Sequence, residues 1–120
     1  MELSKEILVQ EQEALKIAKL LANDLRLQIL CLLQENGAAT VTEIMNALHA
    51  EQSRVSHQLS ELREYQMISA TRSGRQITYA LTDPHMMELL NDLLEHANHV
   101  RLHREHGGIL KKRDESVTFF

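Results

Sequence analysis

A chain of 120 residues has room for one small domain with a core of its own, but not for two. Hydrophobic residues make up 43%, yet aromatics only 3% with no Trp, so the core has to be built from Leu, Ile, Ala and Met. The single Cys excludes an internal disulfide, and the absence of a signal peptide or a long apolar run makes the cytoplasm the expected location, with no membrane partner.

A net charge of −4 excludes a uniformly basic nucleic-acid binder and turns attention to how charge is distributed. Between positions 83 and 95 lie Asp83, Glu88, Asp92 and Glu95 with no Lys or Arg, a composition that favours a cation. Between 51 and 82, Arg54, Arg63, Arg72 and Arg75 outnumber Glu51, Glu61 and Glu64, so the middle of the chain is mildly basic.

The first predicted helix covers 4–22, with Ser4 as its cap and Leu8, Leu15, Ala18 and Leu20 or Leu21 on one face. It carries no chemical signature, and a dimer interface is its sharpest expected role. A second helix opens at Asn23 or Asp24 and stops at Gly37. Its dense Leu and Ile content implies burial on most sides, and Cys31 within it reads as a small core hydrophobe.

Thr40 followed by Glu43 is a capping box for a short third helix that turns Ile44, Ala47 and Leu48 inward. After a break at His49-Ala50, residues 51–68 read as a fourth helix with Val55, Leu59 and Leu62 on its inner edge and Ser53, Ser56, His57 and Ser60 on a polar edge. Two helices joined by a short turn, the second offering short polar side chains, form a helix-turn-helix whose second member can enter the major groove. Gln52 suits adenine, Arg54 suits guanine, and serine or histidine can meet bases or phosphates.

Residues 68–81 follow as two alternating stretches about a turn expected at Ser73-Gly74, the pattern of a β-hairpin. Arg72, Arg75 and Gln76 at its tip make it a wing that reaches DNA phosphates or the minor groove. The expected fold class is therefore mainly α with a β-hairpin wing, a winged helix-turn-helix, partnered by double-stranded DNA.

The last predicted helix runs from Asp83, its cap, through Pro84 at the first helical position to His106. Met86, Leu89, Leu90, Leu93, Ala97 and Val100 share one sector, and His96, His99 and His103 form a stripe along its border. Imidazole and carboxylate together are the ligands of zinc and its first-row neighbours. Asp83 and His85 stand roughly 16–24 Å from His96 and His99 along a helix axis, so no single ion reaches both pairs in one chain. Two antiparallel copies related by a twofold axis would bring the first pair of one protomer to the second pair of the other, which predicts a homodimer with two equivalent four-ligand sites. Residues 107–120, after Gly107-Gly108, lack periodicity and are expected to be a flexible tail beyond a DNA-binding and dimerisation domain of residues 1–106.

This order of elements closely resembles the ArsR/SmtB family of metal-sensing bacterial repressors over residues 10–100. LANDLRLQILCLL is similar to the family's opening signature, QSRVSHQLSELRE to its recognition helix, and Asp83-x-His85-x10-His96-x2-His99 to the last-helix site of its zinc and cobalt sensors. The resemblance implies a dimeric repressor, not an enzyme and with no protein substrate, that sits on operator DNA and leaves when metal binds. It places Gln52, Ser53, Ser56 and His57 on the DNA. The segment TVTEIMNAL lacks the Cys pair of the thiolate-using sensors, so zinc is the favoured effector. Cobalt or nickel is the rival, because His103 and His106 extend the stripe as extra ligands would. A winged-helix regulator with another effector and a metal-storage protein are the remaining alternatives. The other ring N–H of His96 is expected to reach a backbone carbonyl near Gln66, at the end of the recognition helix.

Overall fold

The computed structural model describes residues 1–106; residues 107–120, on which the expected tail falls, lie outside the described residues. Helix α1 spans Lys5–Leu21 and α2 spans Asp24–Asn36. Strand β1 is Ala39–Thr40, followed by α3 at Val41–Leu48 and α4 at Gln52–Glu64. Strands β2, Ile68–Ser73, and β3, Gln76–Leu81, lead into α5 at Pro84–His106.

The helix starts follow their caps. The Ser4 hydroxyl accepts the Ile7 N–H at 3.2 Å, and the Asn23 side chain accepts the Arg26 N–H at 3.0 Å, which settles the opening of α2. The capping box of α3 is complete: Thr40 Oγ1 accepts from Glu43 N at 3.2 Å while Glu43 Oε1 accepts from Thr40 N at 2.9 Å. Asp83 caps α5 by accepting the Met86 N–H at 3.1 Å.

Helix α4 ends four residues earlier than its sequence suggests. The Met67 N–H donates to the Leu62 carbonyl at 3.0 Å and the Gln66 N–H to the Arg63 carbonyl at 2.9 Å, the paired bonds of a Schellman stop. Gln66 takes the left-handed position with φ 57°, a place usually filled by Gly, and burial of Met67 beside Leu62 supplies the apolar contact that holds it.

The hairpin pairs Ser73 with Gln76, so its loop is Gly74-Arg75 and not Ser73-Gly74. Gly74, with φ 65°, supplies the positive dihedral that a two-residue loop needs at its first position. Strand β1, too short for any periodic signal, adds antiparallel to β3, giving the sheet order β1-β3-β2.

Ile29, Leu30 and Leu33 of α2, Ile44 of α3, Val55, Leu59 and Leu62 of α4, Met67 between α4 and β2, and Leu90 of α5 are fully buried and form the centre of the core. Ala47, expected inside, is exposed: one turn of α3 turns Ile44 to the core, with Leu48 half-buried. Gly37 closes α2 at φ 87°, with no atom within 4 Å of where a Cβ would stand. Gly37→Ala therefore meets no clash, only backbone strain; about 1 kcal/mol should be lost, seen as a drop of about 4 °C in the thermal midpoint.

The two outer helices are poorly covered. In α1 only Leu20 is buried, while Leu8, Leu15 and Ala18 of the expected face are exposed, so most of that face is left uncovered within the described residues of this chain. In α5 Leu90 is buried and Met86 and Val100 are half-buried, but Leu89, Leu93 and Ala97 are exposed. Gln34 of α2 donates to the Met87 carbonyl at 3.3 Å, and from Asn91 to His99 every residue of α5 is exposed. The radius of gyration of 17.0 Å exceeds the roughly 13 Å of a compact domain this size.

Candidate DNA-binding and metal-binding faces

Helices α3 and α4 are joined by the three residues His49, Ala50 and Glu51, with His49 left-handed at φ 53°. Because Val55, Leu59 and Leu62 fix the inner side of α4, the first two turns present Gln52, Ser53, Arg54, Ser56 and His57 outward, all exposed. Each carries the side chain expected at a base-reading or phosphate-reading position, and none is committed to the core. On the hairpin, Arg72, Arg75 and Gln76 are likewise exposed, and the Arg72 guanidinium donates to the Gly74 carbonyl at 3.5 Å, which holds it along the loop.

One residue that the sequence reading passed over anchors α4. Arg26 of α2 donates from Nε to the Leu20 carbonyl at 2.8 Å and from Nη1 to Gln58 Oε1 at 2.8 Å, with Glu61 at 3.8 Å. Its side chain is only 15% exposed, so these bonds are largely shielded. They tie the end of α1 to the middle of α4. The available signal was an arginine set four residues before the Leu-Cys-Leu-Leu run, where a solvated residue would have been unremarkable.

The side chains expected to hold a metal sit where the helix geometry puts them. Asp83 and His85 lie exposed at the start of α5; eleven residues on, about 16 Å along the axis, His96 and His99 are exposed as well. The rings of His96 and His99 stack at 6.3 Å between centroids and 23°, and those of His99 and His103 at 6.4 Å and 15°. The side chain of His106, the last residue of α5, lies outside the described residues. No three His, Cys, Asp or Glu side chains among the described residues of one chain converge on a point. The two pairs remain apart in a single protomer.

The donor chemistry fits a first-row metal. The Asp83 carboxylate uses one oxygen, Oδ1, for the helix cap, and the imidazoles of His85, His96 and His99 have no hydrogen bond to the described residues. Cys31 does not compete. Burial pushes its thiol pKa up, with a further push from Glu35, and it lies in an apolar groove of about 350 Å³ between α2 and Leu48.

At the end of α4 the Gln66 carbonyl accepts the Thr82 hydroxyl at 2.7 Å, and Thr82 N donates to the Met67 carbonyl at 3.2 Å. Thr82, the residue before Asp83, is thus bonded directly to the stop of α4. No helix among the described residues is long and apolar enough to cross a membrane.

Comparison with known proteins agrees with this arrangement. A sequence model described as "Bacterial regulatory protein, arsR family" matches residues 23–70, from the start of α2 into β2. The regulator NmtR of Mycobacterium tuberculosis is 43% identical over 82 residues, 68% of this chain and 68% of NmtR. The repressor SmtB of the same species is 34% identical over 82 residues, 68% of this chain and 60% of SmtB. Among solved structures, the homodimeric winged helix-turn-helix DNA-binding domain of Mb0332 from Mycobacterium bovis aligns with a TM-score of 0.72 at 25% identity, covering 84% of this chain and 92% of that one. With a helix-turn-helix, a wing and relatives of this similarity, the chain belongs to the ArsR family of bacterial transcriptional regulators, a family of DNA-binding proteins and not of enzymes.

Proposed function

We propose that this protein is a metal-responsive repressor that holds operator DNA as a homodimer and releases it when Zn(II) bridges the two α5 helices. The carrying observation is the separation of the donors: Asp83 with His85, and His96 with His99, stand at two stations of one exposed helix, and no three among the described residues converge within a chain. Exposed Leu89, Leu93 and Leu94 lie between the two stations, an apolar stretch that a second α5 would cover. The exposed Ile7, Leu8 and Leu15 of α1 extend the surface available for that dimer.

In an antiparallel pair, Asp83 and His85 of one protomer and the partner's His96 and His99 supply four donors, the number for a tetrahedral zinc ion. A metal ion there supplies a crosslink between protomers. For it to act on DNA, its affinity must differ between the conformation that fits two successive major grooves and the one that does not. Thr82, bonded to the Gln66 carbonyl and adjacent to Asp83, offers a direct path from the donor set to α4. His96 of the same chain stands about 20 Å along α5 from Thr82 and makes no hydrogen bond to the described residues, so a route through its second ring nitrogen to the Gln66 carbonyl would have to start from the partner's His96. The names of the relatives NmtR and SmtB support the regulator reading.

A six-coordinate Co(II) or Ni(II) site is the second reading, favoured by the stacking of His103 on His99, which continues the donor stripe past the fourth ligand. An optical titration with Co(II) separates the two. Intense ligand-field bands saturating at one equivalent per protomer are expected for the four-coordinate site. Weak bands at that stoichiometry would assign His103 or His106 as ligands, and no bands would leave a winged-helix regulator with another effector.

A further inference from the structure

Both phenylalanines of the chain, Phe119 and Phe120, come after α5, in a stretch of 14 residues that also carries the basic run Lys111, Lys112 and Arg113. Neither aromatic ring therefore contributes to the core formed by the described residues. A groove elsewhere on the molecule has the complementary character. Leu27, Cys31 and Leu32 of α2 and Leu48 at the end of α3 make its floor, all half-buried, and the exposed carboxylates of Asp24 and Glu35 stand at its rim. Its volume is about 350 Å³, enough for one or two large side chains.

Asp24, Cys31 and Glu35 fall within about 40° of one another on α2, with Leu27 and Leu32 on either side of that row. The two carboxylates thus close the ends of an apolar strip about 16 Å long. Such a strip suits a peptide with apolar side chains beside cations, whereas an anionic ligand would meet like charge at both ends. Gln34, next to Glu35, donates to the Met87 carbonyl at 3.3 Å, which sets the Glu35 end of the groove against the first turn of α5. In the antiparallel pairing of α5, that turn meets the partner's His96 and His99. The end of the partner's α5 lies about 10 Å further on, and from there the basic run is within about 17–23 Å of extended chain and the two rings within about 43–46 Å. The chain's own α5 ends roughly 28 Å up the helix from Met87, too far for its own basic run to return to Glu35.

We infer that the groove between α2 and α3 is the docking site for residues 109–120 of the partner subunit, its basic run set against Glu35 and its aromatic pair on the floor of Leu27, Leu32 and Leu48. The inference rests on the antiparallel pairing of α5 proposed above. Charge selects the segment, since the basic run meets a rim that carries carboxylates and no Lys or Arg. Apolar burial holds it, because two phenyl rings leave water together with the groove floor. Each docked segment straps the α5 of one protomer to the α2 of the other, a contact independent of the exposed faces of α1 and α5.

The test reads Cys31, the one thiol of the chain, on the groove floor. In the full-length protein, N-ethylmaleimide should alkylate Cys31 about 10-fold faster in Phe119→Ser/Phe120→Ser than in the wild type, as for a segment docked about nine-tenths of the time. Lys111→Glu/Lys112→Glu should raise the rate by about 2- to 5-fold, the worth of exposed ion pairs. Under diamide, Phe119→Cys should form a covalent dimer that neither the wild type nor Cys31→Ser/Phe119→Cys forms. An intrachain disulfide in Phe119→Cys would overturn the inference by placing the segment in its own groove, and a covalent dimer that persists without Cys31 would overturn it by joining the two segments to each other. Alkylation at one rate in the wild type and both tail variants would also overturn it, since the segment would then not cover the groove. In each of these cases a dimer by light scattering that takes up one Co(II) per protomer would leave the metal reading standing. A wild type that is monomeric with metal bound would sink that reading, and this inference with it.

Discussion

Heterodimers made from Asp83→Ser/His85→Gln protomers and His96→Gln/His99→Gln protomers are expected to recover one Co(II) site per dimer, although neither variant binds the metal as a homodimer. Each homodimer retains only two of the four donors at both sites. Losing even an outer-shell partner costs 10- to 100-fold in metal affinity, so losing two ligands should cost at least about 100-fold. In the heterodimer, the intact pair of each protomer meets the intact pair of the other at one site, and both substituted pairs meet at the second. One site is then complete and one empty. The substitution at position 83 is to Ser because Asp83 also caps α5 through the Met86 N–H, and a serine hydroxyl preserves that bond while removing the carboxylate. Co-expression with two affinity tags isolates the mixed dimer, and its ligand-field spectrum is read per dimer. A site assembled within one protomer would leave all three species equally silent, which would refute the bridging arrangement while leaving the DNA-binding assignment untouched.

How much of this was legible in the sequence follows from the range over which each signal acts. Caps are local, and Ser4, Asn23, Thr40 with Glu43, and Asp83 each open a helix as their side-chain chemistry dictates. The spacing of the donors on α5 is equally local, since rise per residue alone places them. The stop of α4 is different. Gln66 is an ordinary helix former, and its left-handed turn depends on Met67 finding a buried place beside Leu62, which only the folded chain provides. The same holds for β1, two residues whose strand character exists only because β3 lies alongside.

The apolar faces of α1 and α5 show the complementary limit. Periodicity marks them as faces to be covered, and the structure of one chain leaves Leu8, Leu15, Leu89 and Leu93 exposed. A hydrophobic pattern states that burial is needed, not which molecule supplies it. Likewise Ser60 of α4 and Tyr79 of β3 are nineteen residues apart in sequence, and only the packing of α4 on the sheet brings them to one groove.

Arg26→Met is expected to lower stability by about 2–3 kcal/mol and to weaken DNA binding beyond what that loss explains. Its two short hydrogen bonds are charge-assisted and mostly shielded; removing the guanidinium leaves the Leu20 carbonyl and the Gln58 amide without their partner. For a chain of this size the thermal midpoint should fall by about 10 °C. Arg26→Lys should recover little, because one ammonium cannot serve a carbonyl on α1 and an amide on α4 from a single point. Glu61→Gln should change stability by no more than about 0.5 kcal/mol, since its contact is 3.8 Å long and the carboxylate is 40% exposed. The effect on DNA follows from where Gln58 sits: it lies one residue after His57, so release of the amide frees α4 to rotate about its buried edge of Val55, Leu59 and Leu62. Measuring duplex affinity well below the melting range, for Arg26→Met, Gln58→Met and the double variant, isolates this role. Non-additivity of about 1 kcal/mol in the DNA-binding cycle would show that the pair sets the orientation of the recognition helix, whereas strict additivity would reduce Arg26 to a stabilising residue.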